Sequence, residues 1–251
     1  MFNFCGINFK GLTLESIFNQ PETLSHIVTV NAEYIVKANE DVRFLNIVNN
    51  SVATFDGQVP YIFAKMINLF NKFPYRIEKI SGSVLIYSLC ERALAEDKRI
   101  FLLGGEHESN QRSVDVLLSK YPGLKIKGYS PIHESYPFTP QNQLNIAEQL
   151  EAFLPDYLLV GFGVGKQDYW INDQMLYLKK LGVILVVGVG GTFEMVSGKY
   201  KRAPIVLQKL CLEGIYRFVN EPKLFRFKRL LTSLRFFRYI FTINTPKIPN
   251  N

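Results

Sequence analysis

Asp56 follows the apolar run Val52–Phe55 and precedes Gly57, a position where a parallel strand would hand residues to a ligand. A carboxylate there can take a proton from an attacking hydroxyl as a general base. It can equally serve a turn or a helix cap, roles that Asp fills often, and the residue types leave both open. Other runs end in companion loops. The run His26–Val30 leads through Thr29 to Asn31, and later ones end in Gly104-Gly105, Gly161-Phe-Gly163-Val-Gly165-Lys-Gln167 and Gly188-Val-Gly190-Gly-Thr192. Glycine lets backbone amides approach a ligand, and a helix N-terminus behind it favours an anion such as a diphosphate. Any one of these loops is ordinary for a strand-to-helix turn; together they converge on one predicted rim.

Other chemistries fit less well. The stretch Gly161-x-Gly163-x-Gly165 would need glycine at Lys166 to match the dinucleotide pattern, and no acid ends a strand about 20 residues later. A phosphate-binding Walker loop, a Gly-x-Ser-x-Gly elbow and a His/Cys metal cluster are absent from the sequence. His26, His107 and His133 are scattered, and Cys5, Cys90 and Cys211 are odd in number and far apart. They read as incidental or buried groups in a reducing cytoplasm. No metal and no cofactor are expected.

Positioning such a rim takes alternating strands and helices. The pattern predicts strands at His26–Val30, Val52–Phe55, Arg99–Leu103, Leu124–Lys127, Tyr157–Gly161 and Val183–Gly188. Helices are predicted over about 32–48, 58–72, 83–96, 107–120, 140–152, 167–180 and 203–219. Alternation of this kind implies an α/β fold with a mostly parallel sheet covered on both faces, because parallel neighbours need crossover connections. The 251 residues suit one such domain, residues 1–221, with an appendage over 222–251. Charge marks the same boundary. From Lys223 onward there are seven basic residues and no acid; removing those seven from the 29 Lys and Arg leaves 22, equal to the 22 Asp and Glu. At helical spacing Phe227, Leu230, Leu234, Phe237 and Phe241 form one stripe flanked by cations. The stripe predicts an amphipathic helix lying on an anionic membrane surface, against the alternatives of a helix packing on its own domain or a nucleic-acid contact. No signal peptide and no apolar run near the ~20 residues of a membrane span is present. The expected location is cytoplasmic, at the inner face of the membrane, without nucleic acid as a partner.

One ordered set of motifs is more specific. Thr29-Val-Asn31-Ala-Glu33, Asp56-Gly57, Lys79-Ile-Ser-Gly82, Arg99–Gly105 and Gly165-Lys-Gln167 are followed by Gly188-x-Gly-Gly-Thr-Phe193. Gly198 with Arg202-Ala-Pro204, Glu213-x-x-x-Arg217 and Glu221-Pro222 complete it. This order resembles the WecG/TagA/CpsF family of bacterial glycosyltransferases, glycosyltransferase family 26, from about residue 5 to 240. The resemblance implies a Rossmann-like fold of GT-E type without an Asp-x-Asp metal motif. It implies inverting transfer from a UDP sugar, typically N-acetylmannosamine or its uronic acid, to an undecaprenyl-diphosphate-linked amino sugar. The products would be teichoic acid, common antigen, capsule or lipopolysaccharide.

Carried over by position, Asp56 is the implied base, and Thr29, Asn31 and Gln167 position the substrates. Gly57, Lys79, Gly82, Ser83, Gly104, Gly105, Gly163, Gly190, Thr192, Arg202 and Glu213 fall in the binding motifs. Arg217 and basic residues after it, Arg226 among them, would close over the diphosphate. The sequence departs from the family at Gly165, where proline is usual, at Asp168 for Glu, at Val84 for an acid, at Lys79 for arginine and at Gly214 for tryptophan. These departures leave the donor sugar open to a UDP-hexose or a UDP-uronic acid. A non-catalytic sugar-nucleotide scaffold and a homo-oligomer are also left open.

Overall fold

The structure, a computed structural model, describes residues 1–19, 24–200, 203, 204, 206, 207, 211–220, 222 and 224–240, without the side chains of Arg217, Phe225, Arg226 and Arg229. Eight strands form one sheet: β1 (Phe2–Phe4), β2 (Ile7–Phe9), β3 (Ser25–Val30), β4 (Val52–Phe55), β5 (Arg99–Gly104), β6 (Lys125–Tyr129), β7 (Tyr157–Gly161) and β8 (Leu185–Gly188). Their order is β1-β2-β4-β3-β8-β7-β5-β6, and only β1 and β2 run antiparallel. The helices are α1 (Leu14–Phe18), α2 (Ala32–Glu40), α3 (Val42–Asn50), α4 (Gln58–Phe70), α5 (Gly82–Ala95), α6 (His107–Lys120), α7 (Pro140–Phe153), α8 (Lys166–Lys180) and α9 (Thr192–Val196). Three more follow: α10 (Glu213–Asn220), α11 (Leu224–Leu234) and α12 (Phe236–Ile240).

The strands read as continuous apolar runs because both faces of the sheet are covered. Ile27, Ile100, Leu102, Leu159 and Val187 pack on one face with residues of α1, α5, α6 and α9. Val28, Val30 and Phe55 face the other way, toward α2, α3 and α4. Phe101, Leu158 and Val186 lie on that second face under α7 and α8. The helix after β3 therefore covers one face and the helix after the neighbouring β8 covers the other. At such a switch point the two chains part beyond the strand ends and leave a crevice.

Three expectations need correction. The single helix over 32–48 is two helices, because Asp41 ends α2 in an extended conformation and caps α3 by accepting from the Phe44 amide at 3.0 Å. The expected helix over 203–219 is interrupted: Val206 and Leu207 are helical, Cys211 stands in the left-handed region at φ +62°, and a second helical stretch follows at Glu213–Asn220. The C-terminal stripe is not one helix: α11 stops at Leu234 and α12 begins at Phe236. Phe236, outside the stripe, is fully buried between Phe4 and Phe63. Phe241 lies outside the described residues. The β1–β2 hairpin was not expected; Cys5 and Gly6, both at positive φ, make its two-residue turn.

Candidate active site

A cavity of about 630 Å³ opens at the carboxyl ends of the strands. Its walls bring together Thr29, Asn31, Asp56, Lys79, Gly82, Ser83, Gly104, Gly105, Gly163, Gln167, Gly190, Thr192 and Glu213. Gly57 stands just outside the lining. Arg202 and the side chains of Arg217 and Arg226 lie outside the described residues.

Asp56 is set by its own backbone, whose amide donates to the Val30 carbonyl at 3.0 Å. This brings it next to Asn31, whose side-chain oxygen caps α2 by accepting from the Tyr34 amide at 3.2 Å. Gly57 permits the approach, since a Cβ there would sit 3.2 Å from the Asn31 Cβ. Thr29 ties β3 to β8 through a hydrogen bond from its hydroxyl to the Gly188 carbonyl at 3.1 Å. Lys79 is held by Gln58, its Nζ donating to Oε1 at 2.8 Å. At the start of α5, Ser81 caps the helix and its hydroxyl meets that of Ser83 at 2.9 Å. Gly82 fits only as glycine, because a Cβ would come 2.7 Å from the Thr192 hydroxyl.

Gln167 is completely buried, and its polar atoms are used inside the protein. Its Oε1 accepts from the Gly163 amide at 3.2 Å and the Gly190 amide at 3.1 Å. Its Nε2 donates to the Tyr34 hydroxyl at 2.8 Å. That hydroxyl donates in turn to Asp168, 3.0 Å from Oδ2, which also accepts from the Gly165 amide at 3.0 Å. One side chain thus clips the β7–α8 and β8–α9 loops together and is itself oriented from α2. Burial pushes the Asp168 carboxyl up to about 6, partly offset by hydrogen bonds from Gly165 and Tyr34.

Residues that sequence reading passed over also line the cavity: Tyr34, Glu106, His107, His133, Lys166, Glu194 and Tyr200. Glu194 follows directly on the Gly-Gly-Thr-Phe motif, and that adjacency was the available signal. Its Oε1 accepts from the Glu106 amide at 3.3 Å, while Oε2 is buried without a partner among the described residues. Glu106 is paired with Lys199. Lys166 donates to the Glu134 carbonyl at 2.8 Å, and burial lowers its pKa. The N-termini of α2, α5 and α8 open on the same space, so partial positive charge points inward from three helices. Among the described residues no three His, Cys, Asp or Glu side chains gather as a metal-holding group.

The sequence profile of the glycosyl transferase WecG/TagA/CpsF family matches residues 2–247. The chain belongs to that family. It is a glycosyltransferase with a Rossmann-like α/β fold. Similar proteins include three from Staphylococcus aureus named N-acetylglucosaminyldiphosphoundecaprenol N-acetyl-beta-D-mannosaminyltransferase. The one from strain MRSA252 is 27% identical, and those from strains MW2 and NCTC 8325 / PS 47 are 26% identical. Each alignment covers 87% of this chain and 84% of the relative. Where this family member carries Gly165 and Asp168 in place of the usual residues, the pair is self-consistent. Gly165 takes φ +85°, with Lys37 Cε 2.8 Å from where a Cβ would be, and its amide is held by Asp168.

Proposed function

We propose that this glycosyltransferase moves N-acetylmannosamine, with inversion, from a UDP donor to an undecaprenyl-diphosphate-linked N-acetylglucosamine during cell-surface polysaccharide synthesis. The observation that carries the reading is the convergence of Asp56, Asn31 and three helix N-termini on one cavity. The names of the S. aureus relatives supply the sugar and the acceptor. In the reaction the acceptor hydroxyl oxygen attacks the anomeric carbon from the side opposite UDP. Its proton passes to Asp56, and the bond to the diphosphate oxygen breaks, leaving its electron pair with UDP. Charge growing on the diphosphate is met by helix N-termini, by loop amides and by cations. The described cations lining the cavity are Lys79 and Lys166, while Asp56, Glu106, Glu194 and Glu213 line it too. That balance favours a role for Arg202, Arg217 and Arg226 in completing the anion site.

The acceptor puts the work at the inner face of the membrane. No helix among the described residues is long and apolar enough to cross it. The α11 helix, with Phe227, Leu231 and Leu234 exposed and no acid in its sequence, supports peripheral attachment. The reading is tested by supplying UDP-N-acetylmannosamine, UDP-N-acetylglucosamine, UDP-glucose and UDP-N-acetylmannosaminuronic acid with a short polyprenyl-diphosphate-N-acetylglucosamine, with EDTA present. Preferred turnover of UDP-N-acetylmannosamine is expected. Preference for another donor would overturn the sugar assignment, and no turnover of any donor would overturn the acceptor.

A further inference from the structure

We propose that the outward flank of α4 is a second membrane-docking surface, one that seats the cavity's rim against an anionic phospholipid bilayer. This helix is apolar nearly all round. Pro60 and Ala64 are buried, and Phe63 and Ile67 pack against the core. The opposite flank reads Ile62, Lys65, Met66, Leu69, Phe70 at helical spacing; beyond the helix end the ring of Phe73 meets Phe2 and Tyr75. Leu69 and Phe70 are 75% and 76% exposed, Met66 and Phe73 nearly half. A helix with apolar residues on both flanks is normally covered on both, and a contiguous apolar patch on a soluble surface marks a contact site.

Charge identifies the occupant. Between Asp56 and Glu78 the chain carries Lys65, Lys72 and Arg76 and no acid; Arg76 pairs with Glu78 at 2.8 Å. A second copy docking symmetrically on this face would set these cations against their own images. Residues 241–251, with Lys247 and no acid, bring the same sign. Anionic headgroups bring the opposite one, and apolar side chains between cations suit the boundary between headgroups and acyl chains. The inward flank of the same helix rests on the C-terminal helices, since the Phe63 ring meets Phe236 and Phe237 edge-on at 6.2 and 6.0 Å, and Phe237 is 39% exposed.

Position gives the surface its use. Gln58, the first residue of α4, follows Asp56 by two positions and binds Lys79 of the cavity wall. The helix then runs for about 20 Å, at 1.5 Å per residue. A bilayer lying along its flank comes up to the cavity, where a lipid-linked diphosphate would emerge. This use rests on the proposed lipid-linked acceptor, whereas the docking itself does not.

The experiment uses the full chain and a Leu69→Glu/Phe70→Glu variant, whose substituted positions are exposed and should leave the melting temperature unchanged. Binding to vesicles of phosphatidylcholine with phosphatidylglycerol should fall by about tenfold or more, the scale of removing two large apolar contacts. Turnover of a long-chain acceptor in those vesicles should fall with it, while turnover of a short, water-soluble acceptor stays unchanged. A Lys65→Glu/Lys72→Glu variant should lose binding on the anionic vesicles and not on phosphatidylcholine alone. Vesicle binding equal to wild type in the first variant would overturn the proposal. So would a change confined to self-association in sedimentation, which would assign the face to a second copy. Lost vesicle binding with neither acceptor turned over by wild type would keep the docking surface and remove the acceptor reading.

Discussion

Asp56 is placed in the cavity wall by its backbone, through its amide on Val30 and the close approach of Gly57 to Asn31. A near-isosteric substitution confined to its carboxylate tests the chemistry of that group. Asp56→Asn is expected to keep donor binding and melting temperature while lowering kcat by about 10²-fold or more, the scale of general-base catalysis. Turnover within threefold of wild type, by the same ~10²-fold reckoning, would leave Asp56 with the turn role its residue type also allows. At this scale the sequence showed the strand-tip residues Asp56 and Asn31, because position after an apolar run is a one-dimensional signal, and it offered Gln167, inside α8, only through the family resemblance. It could not show that Gln167 is wholly buried, with Gly163, Gly190 and Tyr34 as its partners. Those contacts join residues far apart in the chain. Tyr34 was hidden for the same reason: its hydroxyl meets Asp168 across 134 positions.

Elements were legible in proportion to how much of their pattern was local. The strands Val52–Phe55 and Tyr157–Gly161 and the helix His107–Lys120 stand where periodicity put them. The break at Asp41 was missed because apolar spacing runs through it, although Asp is a strong cap. The β1–β2 hairpin was missed although Phe-Asn-Phe and Ile-Asn-Phe alternate around Cys5-Gly6. Three-residue strands give too short a period to stand out. The α2–α8 junction has a consequence that pH can expose. Asp168, pushed up to about 6 by burial, binds its proton more tightly folded than unfolded, where an ordinary carboxyl titrates near 3.9. Its ionisation then lowers stability as pH rises from about 4 through about 6, by an order of 2–3 kcal/mol. Asp41 and Asp173 have carboxyls held below the usual range by hydrogen bonds, from Tyr169 first in the one case and Tyr136 first in the other. They act oppositely, losing stability as pH falls, and an Asp168→Asn variant keeps both. The melting temperature of wild type minus that of Asp168→Asn should therefore be more positive near pH 5 than near pH 7.5. Parallel curves would mean that the carboxyl titrates normally in place.

Across the whole molecule, the C-terminal segment serves two surfaces at once, which a stripe drawn on one helix concealed. The helix α12 is anchored to the domain: Phe236 is fully buried against Phe4 and Phe63, while at the surface Tyr239 donates to Glu40 at 2.8 Å and Arg235, in the turn before the helix, pairs with the same carboxylate. The helix α11 lies against α2 and α10 and turns one flank outward, with Leu224, Phe227, Leu231 and Leu234 exposed. The sequence showed the excess of positive charge and the apolar spacing. It put Phe237 in the stripe and made no assignment for Phe236, because the two are adjacent and only the turn at Arg235 decides which one points inward. The two roles separate by substitution. Phe236→Ala should cost about 3–5 kcal/mol, as large-to-small changes in a packed core do, and lower the melting temperature by roughly 6–20 °C for a chain of this size. Leu231→Ser/Leu234→Ser should leave the melting temperature within a few degrees, since exposed positions contribute about 0.5 kcal/mol or less, while weakening attachment to anionic vesicles. A chain ending after Asn220 should combine both losses, aggregating rather than surviving as a soluble body, because it bares the aromatic face of Phe4 and Phe63. A soluble truncation with unchanged melting temperature would show that α12 only rests on the domain. If Leu231→Ser/Leu234→Ser binds anionic vesicles as wild type does, the membrane contact lies elsewhere on the molecule.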